Sequence, residues 1–243
     1  MERLDGDTEM PAQDNPNSEQ SRLIGSNMPS RISYMNLISN LSAVVLVAII
    51  IYCCIAKEET VLFALHPILM TLGWTVFMTS AVNSITPGDL ATEWMPIRLR
   101  SARHWVLQVC AGILILIAFF CILSNKIIHD KPNFQTLHSK FGLTALIFML
   151  ITMTGGLGAL YSLKLKHYLA PIYTKLLHAS FGLLTIVLGS VAIILGFFSN
   201  WWTFGEILRY TNLTLILIVM LFTILRPCLK VYFRLMERIE NGN

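Results

Sequence analysis

Six stretches of nearly uncharged apolar residues, each about twenty long and separated by short breaks, dominate the chain: roughly 35–56, 61–83, 104–124, 138–160, 178–198 and 211–233. A helix needs about 20 apolar residues to cross the hydrocarbon core of a bilayer, and within the helix every backbone polar group is satisfied internally. The fold class expected is therefore an all-α membrane protein with six transmembrane helices. Composition agrees. Only 13% of residues are charged, against about 25% in ordinary soluble domains, too few to cover a soluble surface. The net charge of +4 does not point to nucleic acid, because almost all the charges lie in short loops between apolar runs.

Prolines and glycines punctuate the breaks at Pro87-Gly88, Pro132 and Pro171, and Arg226-Pro227 marks an exit from the last run. Residues 1–34 carry six acids and the polar stretch NPNSEQS without an apolar core. They read as a disordered tail rather than a cleavable signal. The domains expected are that tail, a six-helix unit over 35–233 and a short C-terminal tail over 234–243. An even number of spans puts both termini on one side. That side collects 13 of the 18 Lys and Arg residues, and Lys57, Lys126, Lys131, Lys140 and Arg209 fall on the other. Cytoplasmic loops are the ones enriched in Lys and Arg, so both termini are expected in the cytoplasm. The sequence does not distinguish an endomembrane (ER or vesicle) from the plasma membrane, nor set the oligomeric state, and a homodimer is compatible with it. The five cysteines form no framework. The NLT triplet at 212–214 lies too close to the membrane for glycosylation. The five tryptophans fall mostly near span ends, as an aromatic belt would place them.

Histidines carry the functional signal. His129 and His167 fall in loops, but His66, His104, His138 and His178 open four successive spans. Any one alone would read as an interfacial side chain; four in a row, with none in the first or last span, ask for a joint reason. Consecutive spans run antiparallel, so His66 and His138 share the non-cytoplasmic side and His104 and His178 the cytoplasmic side. A four-helix core of spans two to five, flanked by spans one and six, with one histidine pair near each face, is what two stacked bis-histidine haems require. Bare zinc or copper would be short of ligands, since no Cys, Asp or Glu lies one helical turn from any of the four. Span one has no histidine, and its Asn40 is placed to bond a neighbouring helix.

Glycines fit a flat ligand. LHSKFGL at 137–143 and LHASFGL at 177–183 place Gly142 and Gly182 four residues after a histidine, on the same helix face. Gly155, Gly156, Gly158, Gly189 and Gly196 lie at the depth of the opposite histidine pair. For these five, close helix packing is an equal reading.

At these residues the chain resembles the cytochrome b561 family of six-helix di-haem electron carriers, and within it the cytochrome b561 domain-containing branch of transmembrane reductases. The matching pieces are ALHPILMTLGW, RSARHWVLQVCAGIL, TLHSKFGLTAL and KLLHASFGLLTIVLGSVAIILGF, within 35–233. The resemblance implies two haem b groups, one on His66 and His138 and one on His104 and His178. It implies a transmembrane oxidoreductase taking electrons from cytoplasmic ascorbate to monodehydroascorbate radical or ferric ion on the other side. Two places depart from the pattern. Where ascorbate-handling members end span two with a basic ALLVYRVFR-like motif, this chain reads TSAVNSITPG; the outer SLHSW appears as TLHSK.

Ascorbate and its radical are anions and need cationic approaches. Arg98, Arg100 and Arg103 precede His104, and Lys175 precedes His178; each either serves a propionate or substrate or simply orients the chain. Lys140 follows His138 and either holds an anion or snorkels to headgroups. The competing function is a solute or proton carrier relaying protons through its membrane histidines. Against it, no Asp or Glu lies inside a span and the histidines sit at two depths.

Overall fold

The computed structural model describes residues 34–86 and 88–241. The polar tail expected over 1–34, Tyr34 apart, and Pro87 lie outside the described residues. The described residues form six helices: α1 Tyr34–Ala56, α2 Val61–Ser84, α3 Ile97–Ile128, α4 Leu137–Leu160, α5 Pro171–Phe197 and α6 Glu206–Asn241. All six are long and apolar enough to cross a membrane, the last over Glu206–Phe233, and no strand occurs among the described residues. The protein is an all-α, multi-pass membrane protein.

Helix limits run past the apolar windows. α3 begins seven residues before 104 and ends at Ile128, while α5 starts at Pro171, whose fixed φ suits a first helical turn. Hydropathy sees the stretch that suits hydrocarbon; Arg and Leu continue the helix beyond it because both are good helix formers. α6 likewise passes through Pro227 without ending, so the expected C-terminal tail is helical from 234 to Asn241. Membrane helices tolerate such a proline where neighbours satisfy the freed carbonyl. α4 opens on a reciprocal cap, Thr136 accepting from the Ser139 amide and Ser139 from the Thr136 amide.

Packing is most extensive between α2 and α3 and between α4 and α5, then between α1 and α6, with α6 also lying on α5. α2–α5 thus form two hairpins clad by α1 and α6. Polar bonds tie the cladding to the core. Asn83 Nδ2 donates to Asn40 Oδ1 at 3.2 Å, joining α2 to α1 as the sequence suggested. Ser39 of α1 meets Thr223 of α6 at 3.1 Å. In the α2–α3 loop, buried Asp89 accepts from Thr92 at 2.9 Å and from Asn36 at 3.4 Å. At the other end Trp201 Nε1 donates to Glu59 at 2.7 Å, holding the α1–α2 turn to the α5–α6 loop. Asn212 of the NLT triplet is fully buried in α6 and closed to glycosylation.

Two tryptophans are not belt residues. Trp202 is buried against Phe197, and Trp74 lies in the core at mid-span. Gly189 of α5 is what admits it, because a Cβ there would clash with Cε3 of the indole. Gly189→Ala is therefore expected to overpack this contact by about 1–3 kcal/mol. Its thermal unfolding midpoint in detergent should fall, and Trp74→Leu in the same chain should recover part of the loss.

Candidate functional site

The four span histidines meet as two pairs. His66 of α2 and His138 of α4 have ring centroids 6.0 Å apart, nearly perpendicular at 87°. His104 of α3 and His178 of α5 stand 6.3 Å apart at 85°. These are the pairs that antiparallel topology implies. His104 and His178 are not at helix mouths, however: each is the eighth residue of its helix. His129 and His167 join neither pair; the His129 ring bonds its own helix at the Asn125 carbonyl, 2.7 Å away.

Every ring in the pairs is held in the same way. A carbonyl can only accept, so Nδ1 carries the proton in each. His66 Nδ1 donates to Ala118 O of α3 at 3.2 Å, and His104 Nδ1 returns the bond to Ala81 O of α2 at 2.8 Å. His138 Nδ1 donates to Ala192 O of α5 at 2.8 Å, and His178 Nδ1 to Thr152 O of α4 at 3.1 Å. Bonds to carbonyls stay within a hairpin and join its two helices reciprocally. The histidine pairs cross from one hairpin to the other. Holding Nδ1 on a carbonyl fixes the tautomer and leaves Nε2 with a free lone pair on all four rings.

The reciprocity sets a spacing. On α3, α4 and α5 the accepting carbonyl lies fourteen residues beyond the histidine: His104 to Ala118, His138 to Thr152, His178 to Ala192. Fourteen residues are close to four turns, so donor and acceptor share a face about 21 Å apart. On α2 the interval from His66 to Ala81 is fifteen. The extra residue is absorbed by a π-helical segment, Leu72–Phe77. In that segment α2 approaches α3 closely enough that a Cβ on Gly73 would lie 2.8 Å from Ile115.

The glycines divide into distinct roles. Gly156 and Gly196 stand four residues beyond the accepting Thr152 and Ala192 and receive the rings. A Cβ at Gly156 would lie 3.2 Å from His178 Cε1, and one at Gly196 3.4 Å from His138 Cε1. Gly142 and Gly182, alike in sequence, are unlike in surroundings. A Cβ at Gly142 meets nothing within 4 Å, whereas one at Gly182 would touch the Thr152 methyl at 3.6 Å. Gly182 thus faces the neighbouring helix. Gly155 and Gly158 also meet nothing and line a cavity of about 310 Å³ beside His178.

Of the cations, Arg100 is engaged locally: its guanidinium donates to the carbonyls of Met95 at 2.9 Å and Glu93 at 2.6 Å and pairs with the Glu93 carboxylate. Arg98, Lys140 and Lys175 are exposed and Arg103 half-buried, and none forms an ion pair with a described residue. Lys126, at the end of α3, donates to Pro132 O at 3.1 Å.

The donor set is two neutral imidazoles per pair. Among the described residues no three His, Cys, Asp or Glu side chains gather where a metal ion could sit, so neither pair alone completes a tetrahedral site. Two imidazole nitrogens on one metal, each at about 2 Å with roughly 1.1 Å more to the ring centre, put the ring centres about 6 Å apart. A metal that arrives with its remaining donors already supplied by a cofactor would fit both pairs.

Residues 65–203, which contain all four histidines, match the family model described as eukaryotic cytochrome b561. The chain is 33% identical over 150 residues to the proteins named Transmembrane reductase CYB561D2 of Mus musculus and Homo sapiens, covering 61% of this chain and 67% of each relative. It is 26% identical over 152 residues to the Probable transmembrane reductase CYB561D1 of Mus musculus, covering 60% of this chain and 64% of that one. If Gly156 and Gly196 exist to admit the rings, Gly156→Val should displace the His178 ring and Gly196→Val the His138 ring, each lowering the b-type haem content that the family implies. A pyridine haemochrome assay on each purified variant should find partial loss, with circular dichroism unchanged.

Proposed function

The chain belongs to the eukaryotic cytochrome b561 family, which implies b-type haem, and on that premise we propose that it is a transmembrane reductase. It carries single electrons from cytoplasmic ascorbate to monodehydroascorbate radical or ferric ion on the opposite side. Two haem b groups serve it, one held by His66 and His138 and the other by His104 and His178. The observation that carries this reading is the pair of crossed bis-imidazole sets, each ring bonded through Nδ1 to a carbonyl and free at Nε2.

When bound, each haem supplies a one-electron ferric/ferrous couple. The protein's own residues do the rest. The four carbonyls fix the imidazole tautomer and raise ligand basicity, as outer partners of metal-bound histidine do. Gly142, Gly155 and Gly158 leave open backbone beside the rings. The apolar bundle keeps water from the sites and so sets their dielectric. Arg98, Arg103 and Lys175 lie on the cytoplasmic side by the positive-inside count; they attract anionic ascorbate or neutralise propionates. Lys126 and Lys140 serve anions at the other face. The carbonyl bonds weigh against a proton relay, since each Nδ1 proton is committed to an acceptor that cannot pass it on.

The test is the visible spectrum of the purified protein. Ascorbate should reduce a bis-histidine b-type band, and His104→Ala or His178→Ala should remove one haem while His66→Ala or His138→Ala removes the other. No reducible b-type band would overturn the cytochrome reading; reduction by dithionite but not by ascorbate would remove the donor and keep the haems.

A further inference from the structure

The four carbonyls that hold the histidines are not equivalent. Three belong to alanines, Ala81, Ala118 and Ala192; the fourth belongs to Thr152, and it holds His178. A threonine inside a helix normally turns its hydroxyl back onto a carbonyl three or four residues earlier. Its neighbours on α4 do so: Thr144 bonds Lys140 O, and Thr154 bonds Leu150 O and Ile151 O. Thr152 does not. Its Oγ1 reaches across to Thr185 Oγ1 of α5 at 2.8 Å. Thr185 spends its single proton on Phe181 O, also at 2.8 Å, so Thr152 is the donor and Thr185 the acceptor. Thr185 is buried, and on the same side Gly182 gives the Thr152 methyl a seat.

We propose that Thr185 is a positioning residue for the His104–His178 pair. It draws the Thr152 side chain onto α5 and so fixes the carbonyl that orients His178. The bond ties α4 to α5 at the turn that supplies this acceptor, and no counterpart stands at the three alanine acceptors. Thr185 touches neither ring; it acts on His178 through Thr152. The inference rests on the di-haem reading above.

The test compares the two haem sites in the holoprotein, purified in nanodiscs. Signals are assigned from His178→Ala and His138→Ala. Thr185→Val should shift the low-spin electron paramagnetic resonance signal of the His104–His178 haem and speed its transfer to apomyoglobin about 10-fold, the scale of an outer-partner loss. The other haem should keep its signal and its rate, and Thr185→Ser should restore both at the affected site. Thr152→Val breaks the same bond from the other side and should give the same one-sided change, which covers the case in which Thr185→Val fails to assemble. If neither variant alters either haem, or if both haems loosen alike, Thr185 is no positioning residue. Equal loosening is the signature of mere helix packing, because α4 and α5 each carry a ligand of a different site. A wild-type protein without two bis-histidine haems would sink the underlying reading and this inference with it.

Discussion

A histidine ring in hydrocarbon has two nitrogens to satisfy, and this bundle satisfies one of them in a single way four times over. The partner is always a backbone carbonyl on the neighbouring helix, which has a second lone pair beyond the one used in its own helix. No acid, amide or water is required, so the device adds no further charge to a medium where charge is costly. Because each hairpin contains two such bonds pointing in opposite directions, its helices are pinned at two levels. The crossing of the pairs between hairpins then joins the two halves through whatever the rings hold in common.

This constraint reaches into the backbone. With donor and acceptor on one face, the interval between them must be close to a whole number of turns, and three helices use fourteen residues. α2 has fifteen, and the widened Leu72–Phe77 turn restores the phase. The same turn carries Gly73 against α3 and Trp74 against Gly189 of α5. An insertion that would have rotated half a helix out of register instead supplies a contact between the hairpins at mid-depth.

Much of this was legible in the chain. Hydropathy alone marked six spans, and antiparallel order alone paired His66 with His138 and His104 with His178. What escaped has physical reasons. Helix ends ran past the apolar windows at 97, 171 and 241, because helix propensity and hydropathy are different quantities. The carbonyl acceptors have no sequence signature, since any residue provides one. Arg100 stood beside Arg98 and Arg103 in the sequence, but only a fold places it on the Glu93 and Met95 carbonyls.

The two copies of LHxxFGL make the general point. As strings they differ at Ser139-Lys140 against Ala179-Ser180, and reading them as one device used twice assigns their glycines one role. In the bundle the histidines are equivalent, each bonded to a carbonyl fourteen residues beyond the other copy's histidine-bearing turn on the partner helix. The glycines are not: Gly142 is open while Gly182 meets Thr152. The difference originates on the partner helix, where Ala192 accepts from the first histidine and Thr152 from the second. A repeated motif therefore fixes what its own residues offer, and the helix it packs on decides how much of that offer is used. Two halves with near-identical histidines acquire different carbonyl partners by this route, and under the proposed di-haem reading such outer partners would tune the two sites apart.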